Sequence, residues 1–449
     1  MPGSQLPLLA SSDPHRPIAW HAGRTVTVAD FMTDVTVVAD GLPARNWMIN
    51  LCEQRYTFLV GFCAALLQKQ ATLLPMSRAE QVVTELEASY PGSYCCDDAS
   101  INVAIRGGSS ASPGAVVGIP CLAADQCAFV GFTSGSSGRP TPHAKLWSSL
   151  SGSTALNASR IRETIASAPV GSRPWIVATV PPQHMFGMEM SVLLPLLGDM
   201  PVHCGRPLFP ADVAAALAEV PAPRVLVTTP VHLRALVESG QEFPGLALVI
   251  SATAPLETRL AASAEHRLRA TVLDVLGSTE TCALATREAA REYAWRPHPG
   301  VVLTPGPTGT VVEAPWFDKP ALLQDMVEFL PDGSFTLLGR NADIIEIAGK
   351  RASLAELTQR LLAVPGVSDA IVFQPEPAGA GPARRVSALA VAPGLTAASI
   401  LERLRDSVDP AFLPRPLALV AVLPRNEVGK LPREQLLVAL RAAAGTGAL

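Results

Sequence analysis

The chain has 449 residues, with 35 Lys and Arg against 39 Asp and Glu, and 16% charged beside 48% hydrophobic residues. A chain this long and this apolar buries a large core, and Gly with Pro make up about one residue in six, below the share at which disorder is the default. The net charge of −4 leaves no electrostatic footprint for nucleic acid, so no nucleic-acid partner is expected.

The N-terminal MPGSQLPLLASSDPHRP has no basic stretch leading into an apolar one, and no signal peptide is expected. Residues 45–70 carry apolar side chains at helical spacing, and the following TLLP reads as a short strand. The longest apolar run, Phe58 to Leu67, is far shorter than the ~20 residues of a membrane-spanning helix. Eight scattered cysteines (52, 63, 95, 96, 121, 127, 204 and 282) form no CxxC pair. They are expected as buried free thiols in a reducing compartment, which makes the expected location cytoplasmic.

The most informative stretch is CAFVGF followed by TSGSSGRPTPHAK, Thr133 to Lys145. A buried strand enters a loop whose glycines let backbone N–H groups face an anion. Its hydroxyls add donors, and Lys145 adds charge. Such a loop is built to cradle phosphate. The Walker spacing is absent, as is G-x-S-x-G, so a P-loop kinase and a serine hydrolase are both disfavoured.

Beyond the loop, strand-then-helix alternation recurs: 176–180 with 186–197, 225–229 with 230–240, and 246–250 with 256–269. That rhythm predicts βαβ units and a largely parallel sheet. The Pro/Gly-rich segment 297–309 marks a change to hairpin texture, where MVEFLPDGSFTLLG joins two β runs through Pro-Asp-Gly. After Gly339-Arg340 about 110 residues read as a small α+β unit. The fold class expected is α/β, with domains at 1–339 and 340–449.

The loop TSGSSGRPTPHAK resembles the phosphate loop of the adenylate-forming superfamily: acyl- and aryl-CoA synthetases, peptide-synthetase adenylation domains and luciferases. The family's other elements follow in order. PPQHMFG (181–187) resembles the element beside the carboxylate pocket, SATAPL (251–256) the turn against adenine, and LGSTET (276–281) the G-x-T-E element. Asp325 matches the aspartate that grips the ribose. GRNADIIEIAGKR (339–351) matches the hinge and the loop after it, and PRNEVGKLPR (424–433) the element carrying the terminal lysine. Leu276 stands where the family often has an aromatic, and Ala342 where it often has Asp or Lys.

The resemblance implies a large N-terminal domain with βαβ-type sheets and a small β subdomain, followed by a small mobile α+β domain. It assigns catalytic roles to Lys430, Thr133 and Glu280, the last also holding Mg²⁺. ATP would be bound by Ser134, Gly135, Ser136, Ser137, Gly138, Lys145, Thr253, Ala254, Pro255, Ser278, Thr279, Asp325 and Arg340. By position, His184, Met185, Gly187, Thr229 and Val231 are candidates for the pocket of a small-molecule carboxylic acid. Gly349 and Lys350 belong to the loop used in the thiol step.

Within the superfamily, 277–357 resembles stand-alone bacterial AMP-ligases of aryl polyene and xanthomonadin-type pigment pathways. That implies an aryl, hydroxybenzoate-like acid, first adenylated and then passed to CoA or to the phosphopantetheine of an acyl carrier protein. A medium-chain fatty acid is the alternative substrate, and luciferase-like oxidation or a non-catalytic nucleotide-binding regulator the alternative activities. The 19 residues after Lys430 leave no room for a fused carrier, so a carrier protein supplied in trans is expected, and Asp406-Ser407 reads as helix surface.

Overall fold

The computed structural model describes residues 4–107, 118–134, 140–166, 169, 171–306, 309–340, 344–347, 350–375, 386–426, 429 and 431–445. Gly135, Ser136, Ser137, Gly138, Ala342, Gly349 and Lys430 lie outside the described residues, as do the side chains of Ser134, Arg340 and Lys350. The chain forms two compact units, Met1–Val302 with Glu313–Ala321, and Leu303–Val312 with Leu322–Leu449. The hairpin ending at Arg340 belongs to the second unit, so this division by packing differs from the pivot expected at residue 340.

Two sheets build the first unit. In the nine-stranded one the order is Arg296–Pro297, Cys282–Glu288, Thr271–Ser278, Leu248–Ser251, Arg224–Thr228, Trp175–Ala178, Val202–His203, Pro17–His21, Arg24–Thr27. Its middle, from Thr271–Ser278 to Pro17–His21, is parallel, as the strand–helix alternation predicts. These strands are buried and read as near-continuous apolar runs, which suits a parallel sheet covered on both faces. The five-stranded sheet runs Tyr94–Cys96, Trp47–Asn50, Ala71–Leu74, Cys127–Ser134, Pro140–Leu146. Only its last pair is antiparallel, so the glycine-rich loop connects neighbouring antiparallel strands.

Several local readings need correction. The stretch 45–70 is not one helix: Trp47–Asn50 is a strand, and the helix is Arg55–Leu67. Twelve of its thirteen residues are buried. A helix apolar all round gives no clean stripe by which to place its start. The stretch after Pro182 is helical but broken, with Glu189–Leu193 in a π-helical turn between two α-helical pieces. All eight cysteines are free, yet Cys95 and Cys121 are exposed.

In the second unit, Asp325–Phe329 pairs antiparallel with Phe335–Arg340. Gly333 takes the left-handed conformation, at φ +83°, within the Pro-Asp-Gly turn between them. A three-stranded sheet (Asp369–Phe373, Ser387–Val391, Leu417–Leu419) follows, with helices Leu354–Leu362, Ala397–Leu404 and Arg433–Gly445. Leu357, Leu361, Val372, Ala388, Ile400 and Leu404 form part of its core. Asp406 and Ser407 lie in a turn just past the helix end at Leu404, not on helix surface. Among the described residues no helix is long and apolar enough to cross a membrane.

Candidate active site

The parallel strands of the large sheet end side by side. At and beyond their carboxyl ends lie 179–187, 229–231, 252–256 and 278–280, four segments holding eleven of the site residues expected from sequence. In doubly wound sheets ligands bind at this edge.

The G-S-T-E-T turn is tightly specified. Ser278 N–H donates to Thr281 Oγ1 at 3.2 Å and Thr281 N–H to Ser278 Oγ at 3.3 Å, with the two hydroxyls 3.0 Å apart. A Cβ at Gly277 would stand 2.4 Å from the Cys282 carbonyl oxygen, so only glycine allows that approach. Cys282 holds φ +59°. This turn meets the strand that enters the glycine-rich loop: a Cβ at Gly131 would lie 3.0 Å from Thr279 Cγ2.

On the neighbouring strand, His143 Nε2 lies 2.8 Å from Thr133 Oγ1 and 3.4 Å from Glu280 Oε1. One imidazole thus touches both the loop's first hydroxyl and the expected metal-holding carboxylate. Burial lowers the His143 pKa, partly opposed by Glu280 and reinforced by Lys145.

Lys145 is not at the loop's surface. It is 6% exposed, and its ammonium donates to the Glu280 carbonyl oxygen at 2.5 Å. Behind the turn lies fully buried Glu189, at the start of the π-helical segment. Its Oε1 accepts from Ser153 Oγ at 2.8 Å, Asn157 Nδ2 at 3.3 Å and the Ala283 N–H at 3.0 Å. Burial raises the Glu189 pKa, while those donors and the Lys145 charge oppose the rise. π-turns recur at functional sites because the extra residue re-aims a side chain.

The PPQHMFG element is held from below. A Cβ on Gly187 would sit 1.9 Å from the Pro181 carbonyl oxygen, so a side chain there is sterically forbidden. Buried Arg55 donates to the carbonyls of Val180 (2.9 Å) and Ala178 (3.2 Å) and to Ser191 Oγ. Gln183 donates to the Cys52 carbonyl. Met185 is buried and His184 half-buried, whereas Val231 is 38% exposed. Thr229 is buried and caps the helix Pro230–Glu238, accepting from the His232 N–H at 3.4 Å. Thr253, on the small-residue turn before Ala254 and exposed Pro255, holds φ +82°. A non-glycine residue in that region is uncommon.

In the second unit, Asp325 lies opposite Arg340 in the hairpin register, and its carbonyl accepts from Thr310 Oγ1 at 2.7 Å. The segment before Lys430 is anchored by Arg425, which pairs with Asp369 at 2.7 Å and donates to the Gly429 carbonyl at 2.8 Å. Gly429 N–H closes a turn on the Asn426 carbonyl at 2.8 Å.

Among the described residues no three His, Cys, Asp or Glu gather as a metal site. Glu280 is half-buried on a turn, a single hard carboxylate. That donor fits Mg²⁺, which is usually held by one or two carboxylates together with substrate phosphates.

His143, Glu189, Arg55 and Arg425 carry this geometry without having been singled out by sequence. Glu189 alone left a trace, as one carboxylate in the apolar run HMFGMEMSVLLPLL.

Comparison with known proteins agrees with this architecture. A family profile described as AMP-binding enzyme matches residues 43–314. The chain is 30% identical over 315 residues to a 4-coumarate–CoA ligase of Halorhodospira halophila, covering 67% of this chain and 73% of that protein. It is 28% identical over 267 residues to a 4-coumarate–CoA ligase of Cereibacter sphaeroides, covering 57% and 59%. Among solved structures, O-succinylbenzoate CoA synthetase of Bacillus subtilis in complex with AMP superposes at a TM-score of 0.80 with 18% identity, over 96% of this chain and 98% of that one. ATP-bound MatB from Rhodopseudomonas palustris superposes at 0.77 with 19% identity, over 96% of each chain. With a family profile spanning more than half its length and a relative at 30% identity over two thirds of it, the chain belongs to the AMP-binding enzyme family of AMP-forming acid–thiol ligases.

Proposed function

We propose that the protein activates an aryl, hydroxybenzoate-like carboxylic acid with ATP and passes the acyl group to the thiol of CoA or of an acyl carrier protein supplied in trans. The observation that carries this reading is the contact of two segments far apart in sequence. The strand entering the glycine-rich loop packs on the G-S-T-E-T turn at Gly131 and Thr279, and His143 touches both Thr133 and Glu280. The aryl class is supported by the 4-coumarate–CoA ligase relatives. We place the protein in the cytoplasm and, on the likeness of 277–357, in an aryl polyene-type pathway.

In the first half-reaction a carboxylate oxygen bonds to the α-phosphorus of ATP as the bond to the β-phosphoryl oxygen breaks and pyrophosphate leaves. Positioning and charge stabilisation dominate such a step. Residues 133–138 would face the phosphates with N–H and hydroxyl donors. Thr279 would donate to the α-phosphate, and Thr253, Ala254 and Pro255 would pass against adenine. Asp325 would take the ribose hydroxyls. Mg²⁺ on Glu280 would neutralise phosphate charge, and Lys430 would pair with charge developing between carboxylate and α-phosphate.

In the second half-reaction a thiolate attacks the acyl carbon and AMP leaves with the electron pair of the broken bond. A swivel of the 340–449 domain about Arg340–Ala342 would withdraw Lys430 and bring in Gly349 and Lys350, a hinge change of an ordinary type.

The test is acid-dependent exchange of labelled pyrophosphate into ATP across a panel of aryl and medium-chain acids. Exchange led by hydroxybenzoates is expected. Exchange led by medium-chain acids would overturn the aryl assignment, and no exchange with any acid would overturn the ligase reading in favour of a nucleotide-binding regulator.

A further inference from the structure

The sequence places Lys145 at the end of a phosphate cradle, but the fold turns its side chain inward onto the Glu280 backbone. The carbonyl it holds belongs to the residue expected to bind the metal ion. From the far side of the same turn, Glu189 accepts the Ala283 N–H, so the segment 280–283 is gripped at both ends by buried ionisable side chains on two other elements. The Lys145 charge also opposes the burial-driven rise of the Glu189 pKa. Glu189 is fixed in turn by Ser153 and Asn157, both on the helix Trp147–Thr164 that begins two residues after Lys145. The result is a closed circuit: strand to turn, turn to π-helical segment, π-helical segment to helix, and helix back to strand.

We propose that Lys145 and Glu189 are positioning residues, two buried side chains that clamp the Thr279–Ala283 segment at its two ends and thereby aim Thr279 and the Glu280 carboxylate at the nucleotide's phosphates and their metal ion. The proposal rests on the ligase reading above for its nucleotide, and it assigns Lys145 no direct contact with phosphate. Removing either side chain leaves a buried backbone group of the turn without its partner.

The experiment uses the full chain as wild type, Lys145→Met, Glu189→Gln and the double variant. Each is measured by thermal melting, by calorimetric titration with ATP in Mg²⁺ and in EDTA, and by pyrophosphate exchange. For Lys145→Met we expect a lowered Tm, an exchange kcat reduced at least about thirtyfold with KM for the acid within about threefold, and loss of the Mg²⁺-dependent gain in ATP affinity. In the double variant kcat should fall by less than the product of the two single losses, because both substitutions loosen the same segment. Double-variant kcat losses that simply multiply, or a kcat loss that only follows the loss of Tm across the three variants, would reduce the two residues to a structural role and overturn the proposal. An ATP affinity that falls equally in Mg²⁺ and EDTA would also overturn it, because that is the mark of a direct phosphate contact. If Lys145→Met does not fold, Glu189→Gln decides: a kcat at least about tenfold lower at near wild-type Tm supports the clamp, and an unchanged kcat contradicts it. If the wild type exchanges with no acid, the ligase reading fails while the calorimetric arm still judges the clamp.

Discussion

Gly131 and Thr279 are in contact distance, with 3.0 Å between a Cβ built on the glycine and Thr279 Cγ2. The strand that feeds the glycine-rich loop and the turn that carries Glu280 therefore pack directly on one another. Gly131→Ala asks Thr279 to shift by a few tenths of an ångström and should cost little, whereas Gly131→Val pushes the turn away from the loop. We expect exchange kcat in Gly131→Val to fall by tenfold or more, about 1.4 kcal/mol in barrier, with a much smaller loss in Gly131→Ala. Equal activity in both variants would show that this contact does not set the geometry.

Arg425 binds Asp369 and the Gly429 carbonyl, so it ties the segment just before Lys430 to the small sheet. Arg425→Ala should lower adenylation by about tenfold or more while leaving transfer from a supplied acyl-adenylate within about threefold of wild type. The paired measurement of both half-reactions checks this, and parallel loss of the two would contradict it.

Sequence made the large features legible for physical reasons. Parallel strands appear as short apolar runs between helical stretches, and the loop and G-x-T-E element need particular residues at fixed spacing. Buried charges were not legible. Lys145 reads as a loop cation, and although Glu189 stands out as the one carboxylate of an apolar run, nothing in a linear chain says which groups will partner an enclosed charge. Thr229 looks like a pocket residue, yet its hydroxyl caps a helix. The helix from Arg55 was mis-bounded for a related reason: a helix enclosed on all sides has no polar face to mark where it begins.

His298, in the WRPHPG stretch, is buried, and its Nε2 has no hydrogen-bond partner among the described residues. Burial, with the nearby Arg160 charge, lowers its pKa from 6.5 to about 4. Between those values the unfolded chain binds a proton that the folded chain refuses, so stability falls as pH drops through that window. The slope contributed approaches roughly 1.4 kcal/mol per pH unit. Denaturant melts of wild type and His298→Gln from pH 7 to pH 4 should therefore converge as pH falls. A difference that stays constant with pH would remove His298 from the account.

On the proposed function, one active site performs adenylation and thiol transfer in turn, and Lys430 is needed for the first alone. The direct measurement is Lys430→Ala, assayed for acid-dependent pyrophosphate exchange and, separately, for thioester formation from a supplied acyl-adenylate. Exchange should fall by roughly 10²–10³, with thioester formation retained. Equal loss of both reactions, or exchange that survives the substitution, would contradict it.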